Sequence, residues 1–218
     1  MTLVALGDSI TRGRGMVPAY GADPRSWAAW LAEAMELPFL NLAADGAVAA
    51  EVRARQLPRL VDCTVATLYV GANDARSVAF DAEAYERDVS AVLAGLASRA
   101  LRVVVLTVPV DLGRPRAGED VLTANAILRR AAAPVDAVVV GLEDFGGWRQ
   151  VLPDAVHPTA LGQVEIADRA AAALGVARRP SEVAEVRRSL RNDLRFAPFY
   201  ARQLARDHWR RQREARSL

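Results

Sequence analysis

The stretch LVALGDSITRG, residues 3–13, decides how the rest of the chain is read. Leu3-Val4-Ala5-Leu6 is an apolar run with the look of a strand buried on both faces. It then stops at a glycine, an acid and a hydroxyl. Gly7, Asp8 and Ser9 suit a turn and a helix cap, so alone they are ordinary loop chemistry. A strand that presents one serine at the edge of a sheet reads the same way. The other segments choose between the two.

Outward from this stretch the chain alternates. TLVAL (2–6), PFLNLA (38–43), TVATLYV (64–70), RVVVLTV (102–108) and DAVVVGL (136–142) are short, rich in Val and Leu, and bounded by Gly, Pro or Asn, as strands are. Between them lie the amphipathic segments SWAAWLAEAM (26–35), AAEVRARQL (49–57), DAEAYERDVSAVLAGLAS (81–98) and EDVLTANAILRRAA (119–132). A last helix is predicted from a Thr159 cap to a Gly175 stop. Such alternation predicts an α/β protein with a parallel sheet covered on both faces, whose functional groups lie just beyond the carboxyl ends of its strands. The polar residues gather there: Gly7-Asp8-Ser9 after the first strand, NLAADG with Gly46 after the second, GAND (71–74) after the third, and DAVHP (154–158) beyond the fifth.

Composition bounds the class. With 218 residues, 52% hydrophobic and 25% charged, the chain suits one globular domain with an appendage. Its longest uncharged apolar stretch, VVVLTVPV (103–110), is far short of a membrane span. The first residues show no basic, apolar leader pattern, and a cytoplasmic location is expected. Cys63 is the single cysteine, opens a strand-like run and reads as a buried thiol. Trp27 and Trp30 are spaced as core residues of a helix. Tyr20 and the loop 12–27 are candidates for lining a substrate site.

The candidate chemistry follows from the strand ends. Asp154 stands three residues before His157, so one turn lets its carboxylate reach Nδ1 and fix the imidazole tautomer. Asn73 carries an amide that can donate to an oxyanion, and Asp74 can brace its loop. Gly46 suits a positive-φ turn or the approach of a backbone N–H to a substrate oxygen. Read singly, each of these is turn or cap chemistry. Read together and in order, they supply a nucleophile, a base with its orienting acid, and oxyanion donors.

With GDSIT at 7–11, Gly46, GAND at 71–74 and DAVH at 154–157, residues 2–175 resemble the SGNH (GDSL-type) hydrolases, named for their Ser, Gly, Asn and His blocks. The resemblance implies a flavodoxin-like three-layer α/β/α sandwich with a five-stranded parallel sheet. It implies Ser9 as nucleophile, His157 as general base and Asp154 as its partner. The oxyanion hole would be the Ser9 and Gly46 N–H groups with the Asn73 side chain, supported by Asp8 and Asp74. The implied activity is carboxylic ester hydrolysis through an acyl-enzyme, with no metal or cofactor. The nucleophile elbow G-x-S-x-G is absent, since residue 11 is Thr. GRGMVP (13–18) has proline where a dinucleotide fingerprint needs its third glycine.

Residues 178–218 stand apart from the 1–177 domain. They hold 12 of the 28 arginines against five of the 26 acids, so the tail is basic and the body mildly acidic. Val186, Leu190 and Leu194 recur every four residues, as do Ala197, Ala201 and Ala205. Two amphipathic helices are expected, the second starting at Pro198. Three uses are open for this extension: docking on the domain or a second subunit, a peripheral membrane contact carried by Phe196, Phe199, Tyr200 and Trp209, or nucleic acid, which the acidic body disfavours. Two other functions stay open as well, an acyltransferase and a non-catalytic binding protein using the basic tail.

Overall fold

The computed structural model describes residues 1–13, 19–187 and 189–216. Five strands, β1 (Leu3–Gly7), β2 (Phe39–Asn41), β3 (Cys63–Tyr69), β4 (Ala100–Leu106) and β5 (Val138–Val140), form one sheet in the order β2-β1-β3-β4-β5. Every pairing is parallel. The helices in chain order are α1 (Ser9–Arg12), α2 (Trp27–Ala34), α3 (Ala49–Glu51), α4 (Ala82–Ala97), α5 (Asp120–Ala132), α6 (Ala160–Leu174), α7 (Pro180–Val183) and α8 (Leu190–Arg216). Helices α2, α6 and α7 pack together on one side of the sheet, and α3, α4 and α5 on the other. This is the flavodoxin-like α/β/α sandwich.

The apolar runs form strands because both faces are covered: all five residues of β1 are buried. The helices follow their caps and stripes. Asp81 accepts from Ala84 N at 3.0 Å, and Tyr85, Val89, Val92, Leu93 and Leu96 turn one buried face of α4 to the sheet. Thr159 caps α6 and Gly175 ends it in the left-handed region. Trp27 and Trp30 belong to the core, as does Cys63, whose thiol burial pushes up in pKa.

The strand order sets the place of the site. From β1 the chain steps to β2 on one side and then crosses to β3 on the other, so the loops leaving β1 and β3 diverge and open a crevice at the carboxyl edge.

Two expectations are corrected. The segment 49–57 is not one α-helix. After a single turn (α3) it passes through a π turn, Val52–Gln56, and a 3-10 turn, Leu57–Arg59, containing Pro58. The wider turn sends Gln56 inward, where it is 3% exposed. The tail, too, differs: a short α7 is followed by one long α8 that runs through Pro198 rather than starting there. An interior proline removes a hydrogen bond and costs about 3 kcal/mol. Here aromatic side chains on both sides of it, Phe196 before and Tyr200 after, pack onto the body and hold the helix continuous.

Candidate active site

Ser9 begins α1 directly after β1. The turn between them needs Gly7, whose φ is +146° and where a Cβ would lie 2.3 Å from the Tyr69 carbonyl oxygen. The Gln56 side chain completes the turn. Its Oε1 accepts from Gly7 N at 2.8 Å and its Nε2 donates to Gly7 O at 2.8 Å, so one buried amide satisfies both backbone groups at the strand end. Asp8 caps α1, accepting from Ile10 N at 2.9 Å. Gln163 of α6 fixes the next turn: Nε2 donates to Ile10 O at 3.0 Å while Oε1 accepts from Trp27 N at 2.8 Å.

The loop leading from β5 brings His157 to Ser9. Ser9 Oγ lies 3.1 Å from His157 Nε2, and His157 Nδ1 lies 2.8 Å from Asp154 Oδ2. The other Asp154 oxygen accepts from Val156 N at 2.9 Å and His157 N at 3.0 Å. Burial opposes the Asp154 charge, but the His157 hydrogen bond and these two amides outweigh it and hold the carboxyl below its usual range. An ionised carboxylate only accepts, so in the neutral ring Nδ1 carries the proton and Nε2 faces the Ser9 hydroxyl as an acceptor. Chemically, the arrangement can take a proton from Ser9.

On the other side of the crevice, Asn73 and Asp74 clip the loop after β2. Asn73 Nδ2 donates to Ala47 O at 3.1 Å, and Asp74 Oδ1 accepts from Ala49 N at 3.0 Å. Gly46 precedes this clip with a φ of +73°, and nothing lies within 4 Å of where its Cβ would be. The Asp74 carboxyl is pushed up by burial, and its Oδ2 has no partner among the described residues. Asp8 is 1% exposed and sits between the two halves of the crevice, feeling the charge of both His157 and Asp74. Burial raises its pKa to about 7, against the Ile10 amide and His157, which lower it.

A cavity of about 130 Å³ lies next to the loop that carries His157, and its lining includes none of Ser9, His157, Gly46 and Asn73. Ile10, the residue after Ser9, and Val156 and Pro158, which flank His157, are in its wall. Tyr69 and Trp148 also line it, and Tyr200 of α8 contributes a wall from the C-terminal extension. The Tyr69 hydroxyl is buried with no hydrogen-bond partner among the described residues.

The structure thus brings Ser9, His157 and Asp154 into one hydrogen-bonded chain and links Asn73 to the Gly46 loop. Of loop 12–27, residues 14–18 lie outside the described residues. Tyr20 does not line the crevice: it is 5% exposed and donates to Asp193 of α8 at 2.6 Å. Gln56, Gln163, Tyr69 and Tyr200 were missed by the sequence reading. Only Gln163 carried a signal, as a polar residue inside the apolar stripe of α6.

Fold and site together define a flavodoxin-like α/β protein with a serine–histidine–carboxylate chain at its carboxyl edge. The chain belongs to the GDSL-like lipase/acylhydrolase family, whose model matches residues 5–164 and ends inside α6. Solved structures share the fold. LAE5, an alpha/beta hydrolase enzyme from the metagenome of Lake Arreo, Spain, is 20% identical with a TM-score of 0.62, covering 80% of this chain and 95% of that one. Axe2, an acetylxylan esterase from Geobacillus stearothermophilus, is 15% identical with a TM-score of 0.63, covering 80% and 94%. TesA is 19% identical with a TM-score of 0.66, covering 80% and 98%. Comparison with curated proteins gave no match.

Proposed function

We propose that this protein is a serine esterase that hydrolyses carboxylic esters through an acyl-enzyme on Ser9. The observation that carries the reading is the chain from Ser9 Oγ through His157, 3.1 Å away, to Asp154 at 2.8 Å. His157 Nε2 takes the Ser9 proton as Oγ attacks the ester carbonyl. The negative charge moves to the carbonyl oxygen, which the Ser9 and Gly46 N–H groups and Asn73 stabilise. Helix geometry leaves the Ser9 N–H without an intrahelical acceptor. Asn73 spends one N–H on Ala47 O and keeps a second. His157 then returns the proton to the departing alcohol, and water cleaves the acyl-enzyme by the same route.

The test is hydrolysis of p-nitrophenyl esters from acetate to palmitate by wild type and Ser9→Ala. Activity lost by about 10⁴-fold or more in Ser9→Ala is expected. Equal activity of the two proteins would overturn the assignment of Ser9.

A further inference from the structure

Helix α8 has three sides. At 100° per residue, Asp193, Phe196, Tyr200, Gln203 and Asp207 share one sector, and it is the one turned to the body. Phe196 is 6% exposed, with ring centroids 5.7 Å from Tyr20 and 6.0 Å from Trp148. Asp193 takes a two-pronged ion pair from Arg149 at 2.6 and 2.9 Å. The leucine and alanine pattern of the sequence does not dock. Leu190, Leu194, Ala197, Ala201, Leu204 and Ala205 fall in the adjoining sector and are all exposed, Leu190 by 74% and Leu194 by 68%. The third sector is basic, with Arg191, Arg195, Arg202 and Arg206 exposed along it. Trp209, 64% exposed, stands on the border between the apolar and basic sectors with Arg213 over its ring at 5.1 Å.

Helix α8 therefore carries an apolar sector that the body leaves uncovered, and it runs beside a row of arginines. Two copies of this helix meeting antiparallel through it would bring two arginine rows together, which disfavours that symmetric pair. An anionic lipid surface satisfies both sectors at once. Leucines enter the boundary between headgroups and acyl chains, arginines meet the phosphates, and tryptophan takes the interface between them. No helix among the described residues is long and apolar enough to cross a bilayer, so the contact is one of lying on the surface.

We infer that α8 binds the protein to anionic membrane surfaces through its uncovered Leu190–Leu194–Leu204 stripe and the adjoining arginines. The inference stands whether or not Ser9 is a nucleophile. It is tested by co-sedimentation of the full chain with vesicles of pure phosphatidylcholine and of phosphatidylcholine with an equal part of phosphatidylglycerol. Binding to the anionic vesicles alone is expected, weakening as salt rises from about 0.1 M to about 1 M. The double variant Leu194→Glu/Leu204→Glu, changed only at exposed positions, should keep its circular dichroism and lose vesicle binding by at least roughly tenfold. Arg191→Gln/Arg195→Gln/Arg202→Gln should weaken binding to the anionic vesicles in the same direction. Absence of binding, equal binding to both vesicles, or undiminished binding by the glutamate variant would overturn the proposal. So would light scattering that shows a dimer of the wild type, dissolved by the glutamate substitutions, with no lipid binding by either protein.

Discussion

Asp154 holds His157 at two points: Oδ2 meets the ring Nδ1 at 2.8 Å, and Oδ1 accepts the residue's own backbone N–H at 3.0 Å. Ring orientation and loop conformation are thus fixed by one carboxylate. Asparagine separates the two duties. Asp154→Asn keeps a carbonyl oxygen for the Val156 and His157 amides, but it presents an N–H to Nδ1 and drives the ring proton to Nε2, the wrong tautomer to accept from Ser9. The expected result is a folded protein with kcat reduced by about 10⁴-fold. Steady-state ester kinetics beside a thermal melt would check this. An active Asp154→Asn would remove the acid from the mechanism.

Gln56 touches no substrate in this account and acts by holding Gly7. Gln56→Leu leaves the Gly7 N–H buried without its acceptor, whereas the Gly7 carbonyl keeps Ala44 N at 3.1 Å. The expected loss of stability is about 1–3 kcal/mol by urea unfolding. Because the turn that aims Ser9 loosens, kcat should fall with KM little changed. A variant destabilised but fully active per folded molecule would reduce Gln56 to a structural role.

Asp8 gives the fold a dependence on pH. Its pKa is raised by burial from 3.8 to about 7, so the folded state favours the neutral carboxyl. That stabilisation is complete below the unfolded pKa and is lost as pH rises toward about 7, a change on the order of 4 kcal/mol across the window. Asp8→Asn keeps an oxygen for Ile10 N and never ionises. Its stability relative to wild type should therefore rise between about pH 4 and about pH 8 in parallel urea titrations. A difference that does not change with pH would contradict a buried, titrating Asp8.

The strands and the chemistry-bearing residues were legible because they obey local rules. Runs of Val and Leu bounded by turn residues mark a sheet covered on both faces, and the carboxyl edge of such a sheet is where Ser9, Asn73 and His157 had to emerge. What escaped was set by contacts distant in sequence. The inward turn of Gln56 depends on a π turn in a segment whose pattern suits an α-helix. The continuity of α8 through Pro198 depends on Phe196 and Tyr200 finding Trp148 and Tyr20. The same docking redraws the tail pattern: of the aromatics read as a membrane face, Phe196, Phe199 and Tyr200 pack on the body, whereas Trp209 stays exposed with the leucines and alanines.

Tyr200 tests whether the extension shapes specificity. It closes one side of the cavity walled by Ile10, Val156 and Pro158, and its ring packs on Trp148 at 6.1 Å. Tyr200→Ala should open that wall and move the preferred p-nitrophenyl ester to a longer chain. The gain in kcat/KM on hexanoate or octanoate is expected to be roughly tenfold. An unchanged chain-length profile, with the protein folded, would show that acyl chains bind elsewhere.

Whether Ser9 is an activated nucleophile is read out by labelling with a fluorophosphonate probe followed by peptide mass spectrometry. Phosphonylation requires both a working base and oxyanion donors. A single modified peptide carrying Ser9 is expected, with labelling abolished in Ser9→Ala and strongly slowed in His157→Ala. A wild type that stays unlabelled while folded, or a label on any other residue that survives Ser9→Ala, would contradict it.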